Sequence, residues 1–321
     1  MSPEMITYLG FGVVLVLALI FDLGLLSKKN AHITMKKALW QTAFWVFLAI
    51  AFMGFVWYEE GQKPALEYLS AYLTEWSLSI DNIFVFILIL SFFSIREDFY
   101  ARVLLIGILM AIIFRLIFIT IGIELVERFE WLLYIFGGVL VYTGINMFSA
   151  KQEEAIDLES NKVYRTIKRV FPLVPHDGNG KFTVKVNGKK YFTTMFAVVV
   201  MLATTDIVFA LDSIPAVFGI STNRLVIYTS NTFAVLGLRS LFFLLKGAVN
   251  KFTHLQQGIA AVLVFIGLKM LVEIFHITIP IYVSLLVILV CITASIVYSL
   301  QVAQKEKDDT AESPASDIDL H

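Results

Sequence analysis

Thr74-Glu75-Trp76-Ser77-Leu78-Ser79-Ile80-Asp81-Asn82 and Thr205-Asp206-Ile207-Val208-Phe209-Ala210-Leu211-Asp212-Ser213 are two versions of one pattern. In each, a hydroxyl residue precedes an acid, a second acid follows six residues later, and a small polar residue comes next. Both lie inside apolar runs, at about 66–94 and 193–220. Such runs are long enough, at about 1.5 Å of rise per residue, to cross a hydrocarbon core of ~30 Å. Carboxylates in that setting decide how the rest of the chain is read.

The likeness continues outward. Ala111-Ile112-Ile113-Phe114-Arg115-Leu116 corresponds to Ala234-Val235-Leu236-Gly237-Leu238-Arg239, each with one arginine deep in an apolar run. Gly138-Val139-Leu140-Val141-Tyr142-Thr143-Gly144-Ile145-Asn146-Met147 corresponds to Ala261-Val262-Leu263-Val264-Phe265-Ile266-Gly267-Leu268-Lys269-Met270. Two consecutive three-helix units follow, at 66–149 and 193–276. An odd-numbered unit followed directly by its copy must point the other way, which predicts an inverted-topology repeat with a binding site near the midplane.

Composition agrees with a membrane protein. Of 321 residues 58% are hydrophobic and 16% charged, against roughly 45–50% and 25% in soluble domains. The net charge of -1 offers nothing to nucleic acid. Cys291, the single cysteine, excludes an intrachain disulfide. Nine apolar runs are expected to form spans, at about 4–26, 38–58, 66–94, 100–123, 131–149, 193–220, 225–246, 257–275 and 279–300, giving an all-α polytopic membrane protein. The first run lacks the features of a signal peptide and reads as a retained span. Residues 1–65 hold two helices ahead of the repeats, and 277–304 a ninth after them. With the N-terminus outside, almost all basic residues beyond the spans fall in inner segments, and only Lys63, Arg128 and Arg224 fall outside. This bias sets an outer N-terminus and an inner C-terminus. The 150–192 segment is then an inner loop, with an amphipathic stretch from Glu153 to Val170 and a hairpin signalled by Asn187-Gly188. The acidic tail, 305–321, is expected to be disordered.

A charge at the bilayer centre costs about 2.5–3.5 kcal/mol on insertion scales, so these acids are candidates for function. If all are ionised, Glu75, Asp81, Asp206 and Asp212 outweigh Arg115 and Arg239 by two negative charges, the complement of one divalent cation or two protons. Fixed salt bridges are the structural alternative. At about 100° per residue, Glu75, Ser79 and Asn82 share one helix face, and Asp206 shares another with Ser213. Thr74 and Asp81 on one helix, and Thr205 and Asp212 on the other, are offset from these faces. Inverted copies set Asp81 level with Asp206 and Glu75 level with Asp212, so that each arginine serves one such pair. Pro215 predicts a local unwinding near 206–215 that frees carbonyls as further ligands. An all-oxygen donor set suits Mn, Mg or Ca. Lys269 is expected to pair with an acid, and Asp22 stands as a ligand at the mouth of the path or as an interfacial cap.

Glu75-Trp76-Ser77-Leu78-Ser79-Ile80-Asp81-Asn82-Ile83-Phe84-Val85-Phe86 and Asp206-Ile207-Val208-Phe209-Ala210-Leu211-Asp212-Ser213-Ile214-Pro215-Ala216 resemble the paired signatures of the TerC family, and most of all its Alx-type bacterial members. Asp22, Ser230-Asn231 and Phe265 to Met270 fit as well, so the resemblance covers nearly the whole chain. It implies a bacterial inner-membrane protein of a family named for tellurium resistance, with manganese export among its Alx-type members and a relation to LysE-type exporters. Carried over residue by residue, the expected metal site is Glu75, Asp81, Asn82, Asp206, Asp212 and Ser213, balanced by Arg115, Arg239 and Lys269. The expectation is therefore a divalent-cation transporter exporting Mn²⁺ without an organic cofactor, with proton antiport by the same carboxylates as one coupling scheme. The partners are the cation and the lipid bilayer. The alternative is a non-transporting membrane scaffold of a stress-response complex that delivers metal to partner proteins. No enzyme constellation is visible in the spans.

Overall fold

A computed structural model describes residues 3–26, 34–149, 162–246 and 255–312. The order of elements is α1 (Pro3–Leu26), α2 (Met35–Glu60), α3 (Gln62–Phe92), α4 (Glu97–Arg128), α5 (Leu132–Ser149), α6 (Lys162–Val170), β1 (Thr183–Val186), β2 (Lys189–Phe192), α7 (Thr194–Phe218), α8 (Arg224–Leu236), α9 (Leu238–Lys246), α10 (Leu255–Val272), a short 3-10 turn, and α11 (Ile281–Glu312). Among the described residues, seven helical stretches are long and apolar enough to cross a membrane. They are α2, α3, α4, α7, α8 with α9, α10 with its 3-10 turn, and residues 281–302 of α11. Shorter apolar segments occupy Met5–Leu17 and Leu132–Phe148. The protein is an all-α, multi-pass membrane protein. Large aromatic side chains at one set of helix ends, among them Trp57, Tyr58, Trp131, Phe275 and Tyr282, are exposed, as interfacial residues are.

The boundaries have local causes. Thr34 caps α2 by accepting a hydrogen bond from the Lys37 amide at 3.4 Å, and Asn223 caps α8 through the Leu225 and Val226 amides at 2.9 and 3.4 Å. Gly61 alone separates α2 from α3. Its φ of 92° is open to glycine and strained for other residues.

The helices α8 and α9 form the innermost stretch, and α2 and α11 lie at the periphery. α3 runs parallel to α8, with Glu67 against Ser221 at one end and Glu75 against Asn231 further along. α4 runs parallel to α7, with Gly107 facing Leu202 and Gly122 facing Ile214 and Phe218. α4 is antiparallel to the α8–α9 pair, as a series of contacts along it records: Glu97 with Lys246, Tyr100 with Phe242, Thr120 with Tyr228 and Glu127 with Arg224. α5 and α10 are also antiparallel and pack backbone to backbone. A Cβ on Gly144 would meet Val264 Cγ2 at 2.6 Å and the Ala260 carbonyl at 2.8 Å, while one on Gly267 would meet Val141 Cγ2 at 2.8 Å and the Gly137 carbonyl at 2.6 Å.

The segment between α5 and α7 packs under the ends of the long helices. β1 and β2 form an antiparallel hairpin turned by Asn187 and Gly188, with φ of 52° and 78°. Arg102 of α4 donates to the Gly180 carbonyl at 2.9 Å, and Phe171, Phe192 and Phe196 form one aromatic cluster. Residues 150–161 of the predicted loop lie outside the described residues.

Two expectations are corrected. α7 is unbroken from Thr194 to Phe218 despite Pro215, which lies in its last turn. The interruption falls at Gly237, between α8 and α9, where Ser240 Oγ donates to the Gly237 carbonyl at 2.9 Å. The stretch read as a disordered tail from 305 stays helical to Glu312. Residues 313–321 lie outside the described residues.

The α5–α10 seam generates a direct test. Gly144→Ala forces two backbones apart and is expected to destabilise the protein by about 1–3 kcal/mol. Gly138→Ala, whose Cβ would meet nothing within 4 Å, is expected to be neutral or to stabilise by up to about 1 kcal/mol. Thermal unfolding of both variants in detergent measures the contrast.

Candidate functional site

Most polar side chains of the central helices fall into two groups. The first is consumed locally. Ser70, Thr74 and Ser77 of α3, Thr204 and Thr205 of α7, and Thr229, Ser230 and Thr232 of α8 all donate to the carbonyl four residues earlier at 2.6–2.9 Å. Such back-bonding satisfies a hydroxyl in a dry helix. The second group faces inward and meets at Arg115.

The Arg115 guanidinium, on α4, holds Asp206 of α7 with two parallel bonds, Nε to Oδ2 at 2.9 Å and Nη2 to Oδ1 at 3.0 Å. This is the fork geometry that gives Arg–carboxylate pairs their strength. Its Nη1 donates to Glu75 Oε1 on α3, and lies 3.4 Å from Asn231 Oδ1 and 3.5 Å from Ser213 Oγ. Asn231 Nδ2 on α8 donates to the second Glu75 oxygen at 3.1 Å. Glu75 is 0%, Asp206 and Arg115 1%, and Ser213 and Asn231 2% exposed. Four helices thus converge on one desolvated cluster. With all three ionisable groups charged, the cluster carries one excess negative charge.

This arrangement revises the predicted pairing. Glu75 and Asp206, the first acid of each motif, share one arginine instead of each joining the second acid of the other motif. Both sit near the middle of their helices. Asp212 is on a different face of α7 from Asp206, as six residues at about 100° each require. It is half-buried and accepts a hydrogen bond from Thr143 Oγ1 of α5 at 3.1 Å. Asn82 is buried on α3, and Arg239 is buried on α9 just past the Gly237 interruption. Lys269 is buried; its Nζ donates to the Gly219 carbonyl at 3.0 Å, and the acids that act on its charge, Glu273 and Glu67, do so without a direct hydrogen bond among the described residues. A cation there complements the C-terminal end of α7. The side chains of Asp81 and Asp22 lie outside the described residues. Among the described residues, no three Asp, Glu, His or Cys side chains come together. The predicted six-residue ligand set is therefore not gathered at one point: the cluster holds Glu75, Asp206 and Ser213 of it, joined by Asn231.

Asn231 was missed as a site residue. Its signal lies in Thr229-Ser230-Asn231-Thr232, four polar residues in succession inside a buried helix. Three are hydroxyls that can bond their own backbone, and only the amide must find a partner elsewhere.

Fold and site together define a class: a polytopic helical membrane protein with a buried carboxylate–guanidinium cluster at its centre. The family model described as "Integral membrane protein TerC family" matches residues 60–308. A membrane protein of Myxococcus xanthus is 42% identical over 306 residues, covering 95% of each chain. A Salmonella typhi protein named "Putative membrane-bound redox modulator Alx" is 40% identical over 298 residues, covering 90% of this chain and 92% of its own. Its Escherichia coli K12 namesake is 40% identical over 286 residues, covering 86% and 88%. The chain belongs to the TerC family of integral membrane proteins, as an Alx-type member. No solved structure matches it.

Arg115→Ala strands two buried carboxylates and is expected to cost about 3–5 kcal/mol of stability. Glu75→Gln leaves a neutral Arg115–Asp206 pair and costs less. Thermal unfolding in detergent ranks them; equal stability of Arg115→Ala and wild type would show that the cluster is not a packed ion pair.

Proposed function

We propose that the protein transports a divalent metal cation, Mn²⁺ above all, out of the cell across the bacterial inner membrane. In this reading nine helices cross the bilayer, with the N-terminus outside and the C-terminus inside. Helices α3–α5 and α7–α10 are the two inverted repeats, and they alternate access to a midplane site. The observation that carries the reading is the Arg115 cluster. It joins one carboxylate from each repeat, Glu75 and Asp206, with the Asn231 amide oxygen and the Ser213 hydroxyl oxygen. Hard oxygen donors of this kind suit Mn²⁺, Mg²⁺ and Ca²⁺. The antiparallel packing of α4 on α8–α9 and of α5 on α10 supports inversion, because in each pair the two helices are counterparts in the sequence repeat.

Arg115 then acts as a tethered cation. Without cargo, it neutralises one carboxylate charge and bonds both acids, so the carrier avoids exposing two unpaired carboxylates to a low-dielectric interior. Arriving cargo of charge +2 competes with the guanidinium for Glu75, whose single bond to Nη1 is the easier one to release than the bidentate clasp on Asp206. When cargo leaves, Arg115 returns. Exchange of the cation for protons on the same carboxylates is the coupling scheme that needs no further group.

The test is flux of Mn²⁺, Mg²⁺, Ca²⁺ and Zn²⁺ into liposomes containing the purified protein. Wild type is expected to move Mn²⁺, and Glu75→Gln and Asp206→Asn to lower the rate at least tenfold while still inserting. Asp81→Asn and Asp212→Asn are expected to abolish protection of cells against excess manganese. Absence of flux in wild type, or unchanged flux in both cluster variants, overturns the proposal.

A further inference from the structure

Glu75 is not alone on its face of α3. Tyr68, Tyr72, Ser79 and Asn82 recur at the three- and four-residue spacing that aligns side chains along one side of a helix. The two directions away from Glu75 differ. Toward the N-terminal end of α3, Tyr68 and Tyr72 stack with centroids 6.3 Å apart, and Phe52 and Phe233 lie 5.6 and 6.3 Å from Tyr68. These rings close that side. Toward the C-terminal end, the described side chains on this face are Ser79 and Asn82, both buried.

Ser79 is the anomaly. Ser70, Thr74 and Ser77 on the same helix bond the carbonyl one turn back, but the Ser79 hydroxyl is fully buried with no hydrogen-bond partner among the described residues; Tyr68 Oη, on the ring-filled side, is the other bare oxygen on this face. A buried polar atom left bare calls for a ligand or water. The neighbouring helix supplies more oxygen at this level. α8 runs parallel to α3, and Asn231 meets Glu75. One turn beyond Glu75 lies Ser79, and under two turns beyond Asn231 lies the Gly237 interruption. The Gly237 carbonyl itself is taken by Ser240 Oγ at 2.9 Å and the Leu241 amide at 3.1 Å, so the oxygens on offer are those of the α8 turn before it: the last carbonyls of an interrupted helix lose intrahelical partners, and in transporters such carbonyls coordinate cations.

We propose that Ser79 Oγ, the Asn82 amide and backbone carbonyls of the last turn of α8 form a second station for a divalent cation. It lies between the Arg115 cluster and the C-terminal ends of α3 and α9. The inference rests on the transport reading for the identity of the cargo, but its central claim is a binding site. The cation reaches or leaves Glu75 through this station, which replaces part of its hydration shell before Arg115 is displaced.

Two variants test it. Ser79→Ala removes a bare hydroxyl, so its thermal stability is expected to equal or exceed that of wild type. Its Mn²⁺ affinity, read by electron paramagnetic resonance of free Mn²⁺ in detergent, is expected to fall about three- to tenfold. In a Cys291→Ala background, the S79C variant is expected to bind Cd²⁺ more tightly than wild type, and Mn²⁺ to slow maleimide labelling of its thiol. Unaltered Mn²⁺ affinity in Ser79→Ala overturns the station, as does Mn²⁺-insensitive labelling of a reactive S79C thiol. The outcomes separate the two claims. If wild type shows no flux yet Ser79→Ala weakens Mn²⁺ binding, the station stands and transport falls. Flux in wild type with Ser79→Ala indistinguishable from it leaves transport standing and removes the station.

Discussion

A guanidinium held out of water between two carboxylates governs the centre of this protein. In hydrocarbon each of the three charges is costly alone, by several kcal/mol after relaxation. Together they satisfy one another only if α3, α4 and α7 stand at fixed depth and rotation. Arg115 leaves α4 at mid-height, and its forked donors demand that Asp206 be coplanar and Glu75 adjacent. The packing around the cluster serves that demand. Gly107 and Gly122 let α4 approach Leu202 and Phe218 of α7. The back-bonded hydroxyls on α3, α7 and α8 remove competing donors, so that Asn231 is the neutral group left to bridge Glu75 and Arg115.

Much of this fold was legible because a bilayer allows few solutions. A backbone that must satisfy its own hydrogen bonds in lipid forms helices, so apolar runs translate almost directly into elements. The two acid motifs and the two arginines were visible for the same reason: a charge inside a span stands out. What was not legible was which acid meets which arginine. Depth estimates from the ends of apolar runs carry errors of a few residues, and each residue is about 1.5 Å. Glu75 and Asp206 both lie near the middle of their helices, α3 and α7, so they meet each other. Rotation is more legible than depth: Asp206 and Ser213 share a face and both reach Arg115, while Asp212 turns to Thr143 of α5.

The misplaced interruption has a clear physical origin. Proline breaks a helix by lacking an N–H and crowding the carbonyl four residues back. Pro215 sits so close to the end of α7 that little helix remains to be deflected. Gly237 lies mid-span and carries two weaknesses, the entropic penalty of glycine and a hydroxyl, Ser240, three residues later that shares its carbonyl with the Leu241 amide. The sequence holds both, but neither is a strong breaker alone. Their joint effect depends on α8 being enclosed by neighbours that can tolerate freed backbone groups.

The interruption also bears on the proposed transport. Counterpart helices lie antiparallel across the α4–α8 and α5–α10 contacts, yet the charged cluster is not shared evenly between the halves. Arg115 from the first half holds both Glu75 and Asp206, and the counterpart span is broken two residues before Arg239. Under the proposed inverted-repeat reading, a two-fold scaffold with an asymmetric centre would have a second arrangement of similar contacts, in which the halves exchange roles. Under the proposed alternating access, the energy separating the two arrangements is the difference between two sets of buried charge contacts. A small divalent ion, by competing with one guanidinium for one carboxylate, is chemically suited to change that difference.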